Sequence, residues 1–351
     1  MAQVIAVGTA VPPFQIDQST IREFAKRMFQ DRFSDIERYL PIFENTNIER
    51  RSFSKPIEWF EEVHHFPTRN EAYVEMASKL AIEAIQKCIE KSPFTLEQID
   101  HLFFVSSTGL STPSIDAHLI NQLQLKRNIR RTPIWGLGCA GGVAGLSRAY
   151  EYVTAFPDQI AVVVTVELCG LTFRRNDLSK SNLVATSLFA DGAAAVLVAG
   201  RKVSLQEIYP IIHSSHSTIW YNSLDVMGWD VAEDGLQVVF SRDIPTIVKE
   251  YVEPVVRDYL QEHSLSIQDI TRMISHPGGK KVLHAYEEAL NVPPERFQHA
   301  YDVLRDNGNM SSATVLFVLE KELEQIHTNG EWGLMSALGP GFSSELLLLQ
   351  W

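Results

Sequence analysis

Cysteine is scarce in this chain: three in 351 residues, at Cys88, Cys139 and Cys169. An odd, widely spaced set gives neither a disulfide framework nor the paired spacing of a zinc site. It points to a reducing compartment, so a cytoplasmic location is expected. Basic residues are in deficit, with 31 Lys+Arg against 43 Asp+Glu and a net charge of −12. That balance argues against a nucleic-acid partner, whose surface would be basic. An anionic ligand would need a local basic patch or a helix N-terminus. No stretch approaches the roughly 20 apolar residues of a membrane span. Low-complexity tracts are missing too. The opening Met1-Ala2-Gln3-Val4-Ile5-Ala6-Val7-Gly8 lacks a basic lead and a long apolar core, and reads as a first strand rather than a signal peptide.

What is present is an ordinary globular composition, 45% hydrophobic and 21% charged. The length fits two to three domain-sized units or two fused halves. Val74, Met76, Leu80, Ile82, Ile85 and Ile89 give an apolar helical face over Glu71–Glu90. β-branched and apolar runs predict strands at Leu102–Ser106, Ile160–Glu167, Ala193–Ala199, Met273–Ser275, Gly333–Ala337 and Ser344–Leu349. The segment Gln30–Pro67 is charged, aromatic and irregular, and reads as a surface insertion. The doublets Arg50-Arg51 and His64-His65 are expected at the surface.

One run stands out: Trp135-Gly136-Leu137-Gly138-Cys139-Ala140-Gly141-Gly142. Glycines permit a tight turn and close approach of another group. A helix N-terminus favours a thiolate. The run therefore reads either as a nucleophile presented at a strand-to-helix turn or as a small buried cysteine in a close-packed glycine bend.

A weak internal repeat bears on that choice. Thr95-Leu96-Glu97-Gln98-Ile99-Asp100 leads into a strand, and so does Ser266-Ile267-Gln268-Asp269-Ile270-Thr271, at an offset of 171 residues from Ile99 to Ile270. The same offset carries Cys139 to the neighbourhood of Asn309, in Gly308-Asn309-Met310-Ser311-Ser312-Ala313. Asp191-Gly192 and Pro340-Gly341 each precede an apolar strand. The period is far too long for a solenoid. It implies a duplicated α/β unit, with halves at 1–205 (carrying Cys139) and 206–351 (carrying His276 and Asn309). Equivalent loops of two such halves face one another, so Cys139 and Asn309 are expected to converge. His276 ends a strand at the turn Pro277-Gly278-Gly279.

Cys139, His276 and Asn309 form a chemically coherent trio. A nearby histidine stabilises a thiolate as an ion pair. Asparagine and histidine N–H groups can both donate to a developing oxyanion. Order and spacing also fit a papain-like protease, but the text after Cys139 and the mid-chain position do not. Taken singly, His276 reads as a strand-end histidine, Asn309 as a helix N-cap, and Phe189 and Cys169 as core. His213 and His216 have a His-x-x-His spacing without an evident third ligand, so no metal site is expected.

Here the chain resembles the type III polyketide synthases, the chalcone-synthase-like branch of the thiolase superfamily. The matching text is Gly138-Cys139-Ala140-Gly141-Gly142, Val166-Glu167-Leu168-Cys169-Gly170-Leu171-Thr172-Phe173, Leu188-Phe189-Ala190-Asp191-Gly192-Ala193, His276-Pro277-Gly278-Gly279, Gly308-Asn309-Met310-Ser311-Ser312-Ala313 and Gly339-Pro340-Gly341-Phe342. The resemblance implies an α/β thiolase fold layered αβαβα, a homodimer, acyl-CoA and malonyl-CoA as substrates, and no metal or organic cofactor. It assigns Cys139 as nucleophile and His276 with Asn309 as the carbonyl-polarising pair. Phe189 matches the gatekeeper phenylalanine. Thr172, Gly228, Ser311 and Ser107 match cavity positions, and Thr112 the one that reaches across the dimer. Lys280 and Lys281, after Gly279, are candidates to meet CoA phosphates, with a solvated pair as the alternative.

The chain departs from plant chalcone synthases, which have one more residue between the cysteine and the Gly-Gly pair. The stretches Ser106–Ile115, Ser181–Asp191 and Trp220–Phe240 look more like bacterial members, which typically take long-chain fatty acyl-CoA and make alkylpyrones or alkylresorcinols. The expected reaction is therefore iterative decarboxylative condensation of malonyl-CoA onto a fatty acyl starter. The alternatives are a chalcone-type enzyme with aromatic starters, a single-round β-ketoacyl synthase III-like enzyme, and a non-catalytic acyl-binding protein.

Overall fold

The structure, a computed structural model, describes residues 2–240 and 244–351. Its strands are β1 (Ala2–Ala10), β2 (Phe14–Asp17), β3 (Arg50–Phe53), β4 (His101–Val105), β5 (Arg130–Ile134), β6 (Ile160–Leu168), β7 (Asp191–Gly200), β8 (Ile211–Ile219), β9 (Met227–Ala232), β10 (Gly235–Phe240), β11 (Ile270–Ser275), β12 (Trp332–Gly339) and β13 (Ser343–Gln350). Nine of them form one sheet in the order β11-β12-β13-β8-β1-β7-β6-β4-β5.

That order has a seam. β1 and β8 pair only at Ala2–Ile212 and Gln3–Ile211. Outward from the seam, β1-β7-β6-β4 and β8-β13-β12-β11 repeat one pattern: two antiparallel pairings, then a parallel one. The matched segments Thr95–Asp100 and Ser266–Thr271 run into β4 and β11, the same place in each half of the sheet, so the two sides of the seam follow one strand pattern.

Every residue of β6 is buried. Ile160, Val162, Val164 and Val166 face an outer cluster with the helix Phe66–Glu90, through Leu80, Ala84 and Ile85. Ala161 and Val163 face an inner cluster with Val143, Leu146, Val315 and Leu319. A strand covered on both faces reads as a continuous apolar run rather than an alternation. The inner helices Gly141–Ala155 and Thr314–Leu323 each touch strands of both halves. This is the αβαβα arrangement, with the helix Glu253–Glu262 among the outer elements of the second half, its Val256, Tyr259 and Leu260 buried.

Several expectations need correction. The long helix begins at Phe66, with Pro67 in its first turn, where a missing N–H is harmless. Gln30–Pro67 is no surface insertion. Leu40, Phe43, Phe53 and Phe60 pack with Ile21, Phe24 and Phe29 of the helix Gln18–Phe29 in a core of their own. Arg51 is only 1% exposed. His64 stacks on Trp59, ring centroids 3.8 Å apart, and is half-buried. β5 and β8 went unread because Arg130-Arg131-Thr132-Pro133-Ile134 and Ile211-Ile212-His213-Ser214-Ser215-His216 lack an apolar run. Among the described residues, no helix is long and apolar enough to cross a membrane.

Candidate active site

Cys139 is the middle residue of a single 3-10 turn, Gly138–Ala140, that opens the inner helix. Gly138 has φ +48, and a Cβ there would lie 2.7 Å from Pro340 Cδ. A Cβ on Gly142 would lie 2.3 Å from the Ser312 carbonyl oxygen. The glycines are therefore needed for a left-handed turn and for close contact with the opposite half. Ser107 Oγ accepts from Gly136 N (3.2 Å) and Gly138 N (3.0 Å), pinning the loop before Cys139. Ser107 is buried and fixes the turn; it does not line the main cleft.

The Cys139 thiol is half-buried and donates to Ser311 Oγ at 3.6 Å. Asn309 reaches it as well. Asn309 is held on three sides. Its Nδ2 donates to the Gly278 carbonyl (3.1 Å), its Oδ1 accepts from Ser311 N (2.8 Å), and its backbone forms a bridge with Phe189. In that bridge Asn309 N donates to Leu188 O and Ala190 N donates to Asn309 O, both at 2.9 Å. The His276 N–H donates to Ser336 O at 2.8 Å. The His276 side chain is 5% exposed, and neither ring nitrogen has a hydrogen-bond partner within the described residues. Cys139, Asn309 and the His276–Gly279 turn thus meet where the two halves touch.

Burial acting on each group alone pushes the Cys139 thiol up to about 12, with the Ser311 hydroxyl opposing and the Glu167 carboxylate adding to the rise. Burial pushes His276 down to about 3. Cys88 is raised to about 12 and Cys169 well above its ordinary value, both chiefly by burial. Both are buried outright, which leaves Cys139 as the accessible thiol among the three.

Glu167 belongs to the site but was not singled out by its motif. It is fully buried at the end of β6 and accepts from Ser312 Oγ (2.6 Å), Thr108 Oγ1 (2.9 Å) and Ser107 N (3.0 Å). Burial raises it to about 7, against those donors. Its legible signal is a carboxylate inside an otherwise apolar strand.

Phe189 and Thr172 line a mostly apolar cleft, partly open to solvent, together with Cys169, Phe24, Phe60 and Phe173. The Phe189 ring lies 5.9 Å from Trp229 and 5.7 Å from Phe240. Gly228 is beside Trp229 on β9 with open space around its Cα, outside the cleft lining. Ser311 is next to the thiol rather than in the cleft. Thr112 is exposed on the loop before the helix Ile115–Gln122. Lys280 and Lys281 are exposed in the first turn of the helix Lys280–Leu290, which follows the His276 turn. No group of three or more His, Cys, Asp or Glu among the described residues could hold a metal ion. His213 packs on Trp332, and His216 meets Thr218 Oγ1.

Comparison with known proteins matches this arrangement over its full length. Residues 1–201 match the N-terminal domain model of chalcone and stilbene synthases, and residues 211–351 the C-terminal one. A protein of Bacillus subtilis (strain 168), provisionally named a chalcone synthase, is 46% identical over 361 residues, covering 100% of this chain and 99% of that one. The 1,3,6,8-tetrahydroxynaphthalene synthase of Streptomyces peucetius subsp. caesius is 35% identical, covering 99% and 93%. The crystal structure of the synthase of the same name from Streptomyces coelicolor A3(2), a bacterial type III polyketide synthase, superposes with a TM-score of 0.94 at 29% identity, covering 99% of each chain. The doubled half-sheet, the cysteine turn at the seam and these matches lead to one conclusion: the chain belongs to the chalcone and stilbene synthase family and is a type III polyketide synthase, an acyltransferase of the kind that condenses malonyl-CoA iteratively.

Proposed function

We propose that Cys139 carries the growing chain and that His276 and Asn309 stabilise the oxyanions of the cycle. The observation that supports this reading is that the Cys139 thiol, the Asn309 amide and the turn following His276 meet at the seam, and that neither ring nitrogen of the buried His276 has a hydrogen-bond partner among the described residues. Burial penalises thiolate and imidazolium separately. Moving the proton from Sγ to the ring creates both charges together, where each offsets the other's burial. The thiolate attacks the starter thioester, CoA thiolate leaves, and the imidazolium returns the proton to it.

Malonyl-CoA then binds with its thioester oxygen toward the imidazole and Asn309. Nδ2 has two N–H groups; the Gly278 carbonyl holds one, which orients the other toward substrate. Loss of CO₂ leaves an enolate whose oxygen these donors stabilise. Its carbon attacks the acyl-Cys139 carbonyl, and the Cys139 thiolate departs. The lengthened chain returns to Cys139 for another round. Attack of a triketide enol oxygen on its own thioester carbon releases a pyrone. The cycle calls for no metal or organic cofactor, because decarboxylation supplies the carbanion. The Phe189 ring, packed on Trp229 and Phe240, gives the enolate a wall that excludes water.

The starter in this reading is a long-chain fatty acyl-CoA and the product an alkylpyrone. The apolar cleft behind Phe189 and Thr172 supports it, since burial of each additional CH₂ contributes about 0.8 kcal/mol. Lys280 and Lys281, exposed in the first turn of the helix Lys280–Leu290, meet the CoA phosphates in this reading. The working form is a homodimer: β5 is the sheet's edge strand, Trp135 at its end is 50% exposed, and Thr112 lies on a nearby exposed loop. A cytoplasmic setting keeps the Cys139 thiol reduced. Mass spectrometry of products from purified enzyme, malonyl-CoA and a panel of acyl-CoA starters tests the assignment. Alkylpyrones from long-chain starters are expected; products from aromatic starters alone refute the fatty-acyl assignment.

A further inference from the structure

Arg51 has no role in the reaction steps above, yet it is the largest fully buried side chain among the described residues and lines the cleft beside Phe189. Burial lowers its pKa to about 9, with the Asp191 carboxylate opposing the fall. Burying a guanidinium is expensive unless its donors are used. Two of its three nitrogens have specific destinations, while Nε has no partner among the described residues. Nη1 donates to the Phe189 carbonyl at 2.6 Å, and Nη2 to Gln18 Oε1 at 2.8 Å. Gln18 in turn donates from Nε2 to the Ser187 carbonyl at 2.9 Å. Two carbonyls of the 187–189 segment are thus tied to one buried pair of side chains.

Among the described residues the Phe189 carbonyl accepts from no other group. In the bridge to Asn309, the groups used on this strand are Leu188 O and Ala190 N, so Phe189 O points away. The stem of Arg51 also packs against the residue before Asn309: a Cβ on Gly308 would lie 2.7 Å from Arg51 Cγ and Cδ. Gly308 itself has φ +70. Arg51 therefore grips both sides of the bridge, by hydrogen bond at Phe189 and by packing at Gly308. Asp191, which faces Arg51 electrostatically, anchors neighbouring backbone by accepting from Ser54 N (2.8 Å) and Gly170 N (2.6 Å).

We infer that Arg51 is a positioning residue for the decarboxylation step: it fixes the Phe189–Asn309 bridge from behind, and so sets where the Asn309 amide and the Phe189 ring meet malonyl-CoA. The inference rests on the proposed roles of Asn309 and Phe189. It separates two half-reactions. Acyl loading depends on the Cys139 turn, which Ser107 pins independently of Arg51. Decarboxylation depends on the Asn309 donor, where a displacement of about 1 Å can cost about a hundredfold in rate.

The test compares Arg51→Lys and Arg51→Met with wild type in the full-length enzyme. Lysine keeps the stem and the charge facing Asp191, so the fold is retained, but one ammonium replaces a two-pronged donor. Cys139 acylation by a fatty acyl-CoA and by acetyl-CoA, whose chain is too short to fill the cleft that Arg51 lines, is followed by intact-protein mass spectrometry, and malonyl-CoA decarboxylation by CO₂ release. The expected fall in decarboxylation kcat is about tenfold for Arg51→Lys and about a hundredfold for Arg51→Met, with acylation within about twofold of wild type. The KM for malonyl-CoA is expected to stay within about threefold. Equal losses in both half-reactions, or a wild-type ratio in Arg51→Lys, overturn the positioning role. Wild-type enzyme that is never acylated at Cys139 and releases no CO₂ overturns the functional reading, and the positioning role with it.

Discussion

The turns Gly138–Ala140 and Ser311–Ala313 are one structural device used twice, and the proposed cycle uses only one of them for covalent chemistry. Each is a single 3-10 turn that opens an inner helix. Each begins with a residue at φ +48, Gly138 in one half and Ser311 in the other. Cys139 and Ser312 occupy the same middle position. The Cys139 thiol is half-buried, beside two polar side chains from the opposite half. The Ser312 hydroxyl is fully buried and donates to Glu167 at 2.6 Å. Duplication placed both side chains at the seam; access and partner decide which one does chemistry. In the proposed cycle the first half carries the nucleophile. The second carries a donor, Asn309, two residues before a left-handed serine, a strained conformation of the kind that clusters at functional sites.

The contrast makes unequal demands on the two turns. Cys139→Ala should lower acyl loading by more than about 10³-fold while leaving malonyl-CoA decarboxylation measurable, by mass spectrometry of the protein and assay of CO₂. Loading retained in that variant would move the nucleophile elsewhere. Asn309→Ala should reduce decarboxylation by about 10²–10³-fold and loading by less than about tenfold. Equal losses would make Asn309 structural, like Ser312.

The proton inventory gives a milder test. A thiol raised to about 12 gains thiolate tenfold per pH unit below that value. With His276 present, the proton already sits on the ring, so iodoacetamide should alkylate Cys139 at a nearly constant rate from about pH 7 to 9. In His276→Ala the rate should rise about tenfold per unit over that range. The same slope in wild type would mean that no ion pair forms.

The smallest effects lie on the stability side. Ser312→Ala should load normally but lose about 1–3 kcal/mol in denaturant unfolding, because a buried carboxylate loses a donor. Glu167 binds its proton more tightly folded than unfolded, having a folded pKa of about 7 against an ordinary value near 4.5. Its contribution is therefore greatest below about pH 4.5 and is lost as pH rises through 7, by roughly 3 kcal/mol. A thermal midpoint that falls over that window, and falls less in Glu167→Gln, is expected. An unchanged slope in the variant would assign the fall to other groups, Asp191 (raised to about 6) among them.

Much of this was legible before the fold was known. β6, β7, β12 and β13 are read within a residue or two, because strands buried on both faces are continuous apolar runs. The Ile99 and Ile270 segments point to two related halves, since each precedes the same strand of its half. The offset brought Cys139 to the neighbourhood of Asn309; the turns themselves pair it with Ser312. β5 and β8 are polar in sequence, and pairing with neighbours made them strands. Arg50-Arg51 looked solvated because a charge doublet usually is. Only folding showed that Arg51 fills a buried slot between Phe189, Gln18 and Gly308.

By itself the sequence determined the chemistry available: a thiol between glycines, a histidine before Pro-Gly-Gly, an asparagine after glycine, and a weak repeat from which Cys139 and Asn309 are expected to converge. Those are local and periodic features, written in residue type and spacing. The tertiary structure decided which thiol is accessible, which carboxylate is buried with three donors, and which arginine clamps the bridge beside Asn309. Burial and hydrogen-bond partners arise from segments more than a hundred residues apart, as Arg51 and Phe189 are, and no pattern within one segment records them.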